Sequence, residues 1–500
     1  MTNLFKRLKR ILNADGISGH ALVLVAGRTL GFLAAFAIPV VLARSFDRAA
    51  FGTYKQLFLV YATLFGVAQV GASESLYYFV PRKPVESGRR VGNAVVILAL
   101  MGLACALGIW AVRGAIAAWL SNDALVATLP WLGVFLGVTL VASAFEIVMV
   151  SRKEHTAGAC TYAASDLART ALFVVPALVF RSLDAVLAGA VAFAVLRLVA
   201  MFVYLWREFG RELRVDLPLL RNQLAYALPF ALAVGIEVVQ ANYHQWAVAA
   251  KFDAATFAIY AVGCLQIPLI DLVYTSTSNV MMVKMAELVH EPGPAALRLW
   301  HDTTARLASL FFPLAAFLLL TAHSIIVLLF TRAYEASVPV FVVWCLMILP
   351  AAFGVDGVLR VYAQTRFLLV MNIVRLAVVA LLIGWCVSTF GLIGAVLVTL
   401  AGTTIVKVLA LVKIARLMDV GIVDVLPWKR LVTHAAQAAA AAVPVFALGR
   451  LVSAPPFVAL MLDGAVYVLT FATIWYARIA WQRRESQSGV DLIPELTPNP

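Results

Sequence analysis

Ionisable and amide side chains stand inside long apolar stretches of this 500-residue sequence, where they are costly and therefore informative. In LPFALAVGIEVVQANYHQWAVAA, Glu237, Gln240 and His244 fall at i, i+3 and i+7, on one helical face. Such a stripe faces protein or water, because lipid would leave its polar groups unsatisfied. A carboxylate beside an imidazole can carry a proton or help to bind Na⁺. Asp271, Thr275 and Ser278 repeat the pattern at i, i+4 and i+7. Asp166 with Arg169, and Asp356 with Arg360, have the spacing of internal salt bridges that let a helix insert. Glu146, Arg197, Arg360 and Lys407 lie near expected cytoplasmic helix ends, where a long side chain can snorkel to water. Arg28, Glu74 and Arg375 stand elsewhere in apolar runs, with snorkelling as the alternative for Arg28. The candidate cavity residues are therefore Arg28, Glu74, Arg169, Arg375 and Lys407, and the candidate ion-coupling residues are Glu237, His244 and Asp271. A cavity of both signs, with cations from both halves of the chain, suits an amphiphilic anion such as a lipid pyrophosphate. Arginine is the natural partner, because its fork matches phosphate oxygens.

The elements that must position these groups are spanning helices. The chain is 63% hydrophobic and 13% charged, with a mean hydropathy of +0.94. Soluble domains carry roughly 25% charge. A span takes about 20 apolar residues. That measure places spans at 20–44, 53–80, 91–112, 125–150, 157–180, 184–206 and 223–249. It continues with 255–283, 305–330, 337–362, 367–388, 391–415, 433–452 and 457–480, about fourteen in all. Pro39, Pro229, Pro268 and Pro350 are expected inside helices, each removing a backbone hydrogen bond and permitting a kink. The five cysteines all lie in apolar segments without a C-x-x-C pair, so neither a disulfide framework nor a metal site is expected. The basic start MTNLFKRLKRILNADGIS leads into an apolar run that ends in ARSFD rather than a cleavage site, so the first span is expected to be retained.

Loop charges set the orientation. Lys and Arg in the loops and at the adjoining span ends divide between alternate sides as about 26 to 7, and the alternation never breaks. By the positive-inside rule both termini are cytoplasmic, which requires an even number of spans. A net charge of +13 distributed in this way is a topology signal, not a nucleic-acid surface. FDRAAFGTY at 46–54 returns as FDAATFAIY at 252–260, about six spans later and on the same side. The repeat is thus parallel and divides the chain into two bundles. The expected organisation is an amphipathic N-terminus at 1–19, an N-lobe at 20–206 and a linker at 207–222. A C-lobe at 223–415, two further helices at 416–480 and a tail at 481–500 complete it. No P-loop, no H-E-x-x-H pair and no large outer loop with paired carboxylates occurs, which argues against an enzyme and for a secondary transporter.

Several stretches carry a family resemblance. GRTLGFLAAFAIPVVLARSFDRAAFGTYKQLFLV, GASESLYYFVPR, VDLPLLRNQLAYALPFAL and VLLFTRAYEASVPVF resemble polysaccharide (O-antigen-type) flippases of the multidrug/oligosaccharidyl-lipid/polysaccharide exporter superfamily. The resemblance runs from about residue 20 to 480. It implies an all-α membrane protein of two pseudo-symmetric six-helix lobes plus two C-terminal helices, in the bacterial cytoplasmic membrane. It implies a flippase that moves a polyprenyl-pyrophosphate-linked oligosaccharide to the outer leaflet by alternating access, for lipopolysaccharide or exopolysaccharide synthesis. No cofactor is implied, and coupling to an H⁺ or Na⁺ gradient is expected. The implied partners are the lipid-linked oligosaccharide, membrane lipids and the polysaccharide polymerase machinery, with no nucleic acid. A lipid II flippase and a multidrug/cation antiporter of the same superfamily stay open. The topology is checked with single cysteines on a cysteine-free background: an impermeant maleimide added outside cells labels Arg181→Cys and spares Lys153→Cys.

Overall fold

A computed structural model describes residue 31 and residues 34–288, 295–451 and 454–490; candidate Arg28 and most of the first span lie outside the described residues. Every regular element among them is an α-helix or a short 3₁₀ turn, the form in which a chain in hydrocarbon satisfies its own backbone. The first ten helices are α1 (Ala34–Ser45), α2 (Arg48–Ala68), α3 (Ala72–Arg82), α4 (Ser87–Trp119), α5 (Ala124–Ala142), α6 (Ala144–Ser151), α7 (His155–Phe180), α8 (Leu183–Phe209), α9 (Leu217–Lys251) and α10 (Ala254–Gly263). Then come α11 (Pro268–Leu288), α12 (Ala295–Phe330), α13 (Val338–Cys345), α14 (Ile348–Ala351), α15 (Val355–Val361), α16 (Thr365–Leu417), α17 (Trp428–Leu451) and α18 (Pro456–Val490). Among the described residues 11 stretches are long and apolar enough to cross a membrane, or up to 12 if the α10–α11 pair is one span.

Several expected single spans are broken. The span at 53–80 becomes α2 and α3, and the span at 337–362 becomes α13, α14 and α15. The span at 255–283 becomes α10 and α11, bent by 47°. Pro268, expected inside a helix, instead opens α11, where its missing N–H costs nothing. Conversely, α16 runs through two expected spans. Its 53 residues would measure about 80 Å if straight, well over twice a hydrocarbon core of about 30 Å. Gly391 breaks it at φ +59° and ψ −139°, a conformation that glycine alone adopts at little cost. The arms meet at once: a Cβ on Gly394 would lie 2.0 Å from the carbonyl oxygen of Cys386.

The repeated corner has a local reason in both copies. Asp47 and Asp253 each stand just before a helix, α2 and α10. Their Oδ1 atoms accept from the backbone N–H of Ala50 at 2.7 Å and of Thr256 at 3.3 Å. The recurring Phe51 and Phe257, and Tyr54 and Tyr260, are buried. Gly52 of the first copy lies against the second, where a Cβ would stand 1.8 Å from the backbone oxygen of Ala254.

By packing, the described chain forms two compact units. One holds the residues up to Ala261 together with Asn372–Val398; the other holds Val262–Met371 and the residues from Thr399 onward. This division does not follow the linker at 207–222, because α9 packs with the N-terminal helices. That linker is pinned: the Asn93 amide donates to the carbonyl of Asp216 at 3.1 Å and its oxygen accepts from the Asp216 N–H at 2.9 Å. Arg89 pairs with the Asp216 carboxylate at 3.2 Å. In the first unit Leu76, Val91, Leu98, Phe145 and Leu205 share a core. In the second, Ala441, Val445 and Tyr467 pack with Phe317. The opposite faces are open and apolar. Leu100, Leu103 and Leu107 on α4 are 63%, 58% and 58% exposed, which marks a lipid-facing stripe.

Replacing Gly52 by Ala drives a methyl into backbone, an overpacking cost of about 1–3 kcal/mol. Asp47→Ala loses a cap worth about 1 kcal/mol. Thermal unfolding in detergent is expected to rank wild type above Asp47→Ala and Asp47→Ala above Gly52→Ala, with Asp47→Asn near wild type.

Candidate functional site

The first unit contains a cavity of about 490 Å³. Its apolar walls come from α2 and α5, where Tyr61 stacks on Phe65 at 5.4 Å and tilts against Phe135 at 5.0 Å between centroids. Its polar wall comes from α6, α7 and α8. Glu146, on α6, is 1% exposed and bonds the guanidinium of Arg197 on α8 at 2.5 Å. Its other carboxylate oxygen accepts from the Ser165 hydroxyl on α7 at 3.2 Å. Next to Ser165 on α7, Asp166 pairs with Arg169, a turn further along, at 2.8 Å. Ser165, Asp166 and Arg169 reach one wall because i, i+1 and i+4 stay on one side of a helix.

The charges cancel in pairs. Two guanidiniums meet two carboxylates, yet donors are left over: Nε of Arg169 and Nε of Arg197 are buried without a hydrogen-bond partner. The Asp166–Arg169 bridge is the one expected from spacing. Glu146 and Arg197 were expected to snorkel, and the structure corrects that: both point inward, and Arg197 is only 18% exposed. Their partners are 51 residues apart, so no local spacing signals the bond. The signal in the sequence was the presence of one acid and one base at similar depth on different spans. The expected Asp356–Arg360 bridge is also corrected. Asp356 pairs instead with Lys407 at 3.4 Å, and Lys407 donates to the Phe353 carbonyl at 3.0 Å. The chain turns at Gly354, just before α15, and the Phe353 oxygen accepts from the Val355 N–H at 2.8 Å as well as from Lys407. Arg360 is exposed.

A second polar cluster in the first unit joins α9 to α16. With its amide oriented to satisfy both groups, Gln240 accepts from Nε and an Nη of Arg375 at 3.0 and 3.2 Å. One turn on, Nδ1 of His244 bonds the Tyr260 hydroxyl at 2.6 Å, and the imidazole is 3% exposed. Gln240 and His244 thus share a buried face, whereas Glu237 is exposed. Asp271 is exposed on α11. Glu74, in the first turn of α3, is half-buried and its Oε2 has no hydrogen-bond partner. Among the described candidates, only Arg169 lines the cavity; Arg375 meets Gln240 on α9, His244 stands on α9 one turn beyond it, and Lys407 belongs to the second unit. Sequence reasoning missed Glu146, Ser165, Tyr162 and Arg197 as members of the cavity wall.

A family model described as "Polysaccharide biosynthesis protein" matches residues 41–339. The chain belongs to this polysaccharide biosynthesis family. Solved structures share its fold. The lipid II flippase MurJ in an inward closed conformation superposes with a TM-score of 0.66 at 11% identity, covering 90% of this chain and 100% of that one. An inward-facing multidrug resistance MATE family transporter of the MOP superfamily gives 0.59 at 13% identity, over 80% of this chain and 99% of that one. A MOP superfamily transporter from Pyrococcus furiosus, described by a reversed polarity of its binding pocket, gives 0.53 at 14%, over 79% and 94%. No curated protein matches the sequence. The polysaccharide biosynthesis protein is therefore a multi-pass membrane protein with the MurJ- and MATE-like transporter fold.

Breaking the buried pair of the family member's cavity leaves an uncompensated charge, at about 3–5 kcal/mol. Glu146→Gln and Arg197→Met are each expected to lower the thermal midpoint in detergent markedly. The double variant recovers most of the loss; independent, additive losses would contradict a direct bond.

Proposed function

We propose that the protein is a flippase that moves a polyprenyl-pyrophosphate-linked oligosaccharide from the cytoplasmic to the outer leaflet of the bacterial cytoplasmic membrane. It works by alternating access, with both termini cytoplasmic, and takes no part in bond making or breaking. The observation that carries the reading is the cavity of a polysaccharide biosynthesis family member, in which Arg169 and Arg197 are each held by a carboxylate. A guanidinium in that state is a phosphate site with its own stand-in anion. A phosphate that displaces the carboxylate keeps the fork bonded. The displaced carboxylate, left in a low-dielectric wall, is then best neutralised by a proton or a bound Na⁺. Cargo and coupling ion thereby share one pair of groups, and neither moves without the other. The aromatic wall of Tyr61, Phe65 and Phe135 offers flat apolar faces to sugar rings.

Arg375, held through Gln240, supplies a further cation, and His244 a group able to carry a proton. Glu237 and Asp271 are assigned to ion coupling, and Glu74 and Lys407 to the cargo path. The likeness of fold to MurJ keeps lipid II as an alternative cargo, and the carboxylates keep an organic-cation antiporter as a second. The expected partner in the membrane is the polysaccharide polymerase machinery.

The test is a deletion strain carrying wild type or Arg375→Ala, from which polyprenyl-linked oligosaccharides are extracted and surface polysaccharide is measured. Lipid-linked repeat units are expected to accumulate and surface glycan to fall unless wild type is supplied. Unchanged glycan export together with raised sensitivity to cationic drugs would establish the antiporter.

A further inference from the structure

The hairpin of α11 and α12, in the second unit, leaves a cleft of about 580 Å³ that none of the ion pairs above uses. Two facing stripes form it. Val273, Thr277 and Lys284 lie on one face of α11, and Asp302, Arg306 and Leu307 on one face of α12. Both stripes carry charge toward one end. That end is the one where α11 finishes, at Leu288, and α12 begins, at Ala295. Toward the middle of the helices the walls turn apolar.

The charge in the cleft is not balanced. Asp302 is already bonded to Arg430 at 2.5 Å. Lys284 and Arg306 have no carboxylate within 4.0 Å among the described residues. Both stand on the helix ends that flank a connection the positive-inside rule assigns to the cytoplasmic side. Val280, which also lines the cleft, is 58% exposed and Val283 beside it is 65% exposed, so the rim continues onto an open apolar face of α11.

We propose that this cleft binds an anionic glycerophospholipid of the cytoplasmic leaflet. The headgroup phosphate lies between Lys284 and Arg306, with the Ser276 and Thr277 hydroxyls as further donors. An acyl chain lies along Val273 and Leu307. Two cations over an apolar trough match a phosphate that carries a hydrocarbon tail, and a free anion would leave the trough unfilled. The site is separate from the cavity of the first unit, and the inference does not depend on the cargo.

The experiment uses the purified, delipidated full chain in dodecyl maltoside and follows its thermal midpoint. Dioleoylphosphatidylglycerol is expected to raise the midpoint, whereas dioleoylphosphatidylcholine and inorganic phosphate leave it unchanged. In Lys284→Gln/Arg306→Gln the apparent affinity for phosphatidylglycerol falls about tenfold or more, the loss of a charge-assisted contact. Arg298→Gln, an exposed cation of α12 outside the cleft, keeps the wild-type affinity. The charge-preserving Lys284→Arg/Arg306→Lys keeps it too, which guards against misreading a folding defect. An equal shift with phosphatidylcholine, full reproduction by inorganic phosphate, or wild-type affinity in the double glutamine variant each overturns the proposal.

Discussion

A charge inside hydrocarbon must find a counter-charge, and most of what is specific about this protein follows from how it does so. Glu146 is almost completely enclosed, which is tolerable only because Arg197 and Ser165 take both of its oxygens. That single arrangement ties α6, α7 and α8 into one wall. It also keeps a cavity polar on one side, while Tyr61 and Phe135 keep the other side apolar. Without the pairing, the same residues would be a liability to insertion and not a site.

The second constraint is the backbone. Lipid offers no hydrogen bonds, so irregular chain survives only where side chains or neighbouring turns answer for it. The breaks obey this rule. Where the chain stops being helical before α15, the carbonyl of Phe353 is shared by the Val355 N–H and by Lys407, the same ammonium that meets Asp356. Where α2 and α10 begin, Asp47 and Asp253 cap the exposed amides. The duplicated corner is thus explained by helix initiation and close packing against Gly52, with no chemistry required of it.

The cations of the two units differ in what balances them. Arg169 and Arg197 each meet a carboxylate, in a fork that a better-placed anion can take over. Lys284 and Arg306 have no carboxylate within 4.0 Å among the described residues. The proposals of an exchanged and of a resident phosphate rest on that difference.

The membrane class and the helix-initiating corner shared by Asp47 and Asp253 were legible from the amino-acid sequence, because apolar run length and helix-capping chemistry are local properties. So was the Asp166–Arg169 bridge, whose two ends lie on one helical turn. The sequence was misleading for Glu146, Arg197, Asp356 and Lys407. Their positions near helix ends look the same whether a side chain turns out to water or in to a partner. Only tertiary packing chose, by bringing Glu146 against Arg197, 51 positions away within the first unit, and Lys407 against Asp356, 51 positions away within the second. Glu237 and His244 show the same limit: one face of α9 holds both by spacing, yet packing buries His244 and leaves Glu237 open. Periodicity fixes which side chains share a face; which neighbour covers that face, and how far along it, is settled by contacts between helices distant in the chain.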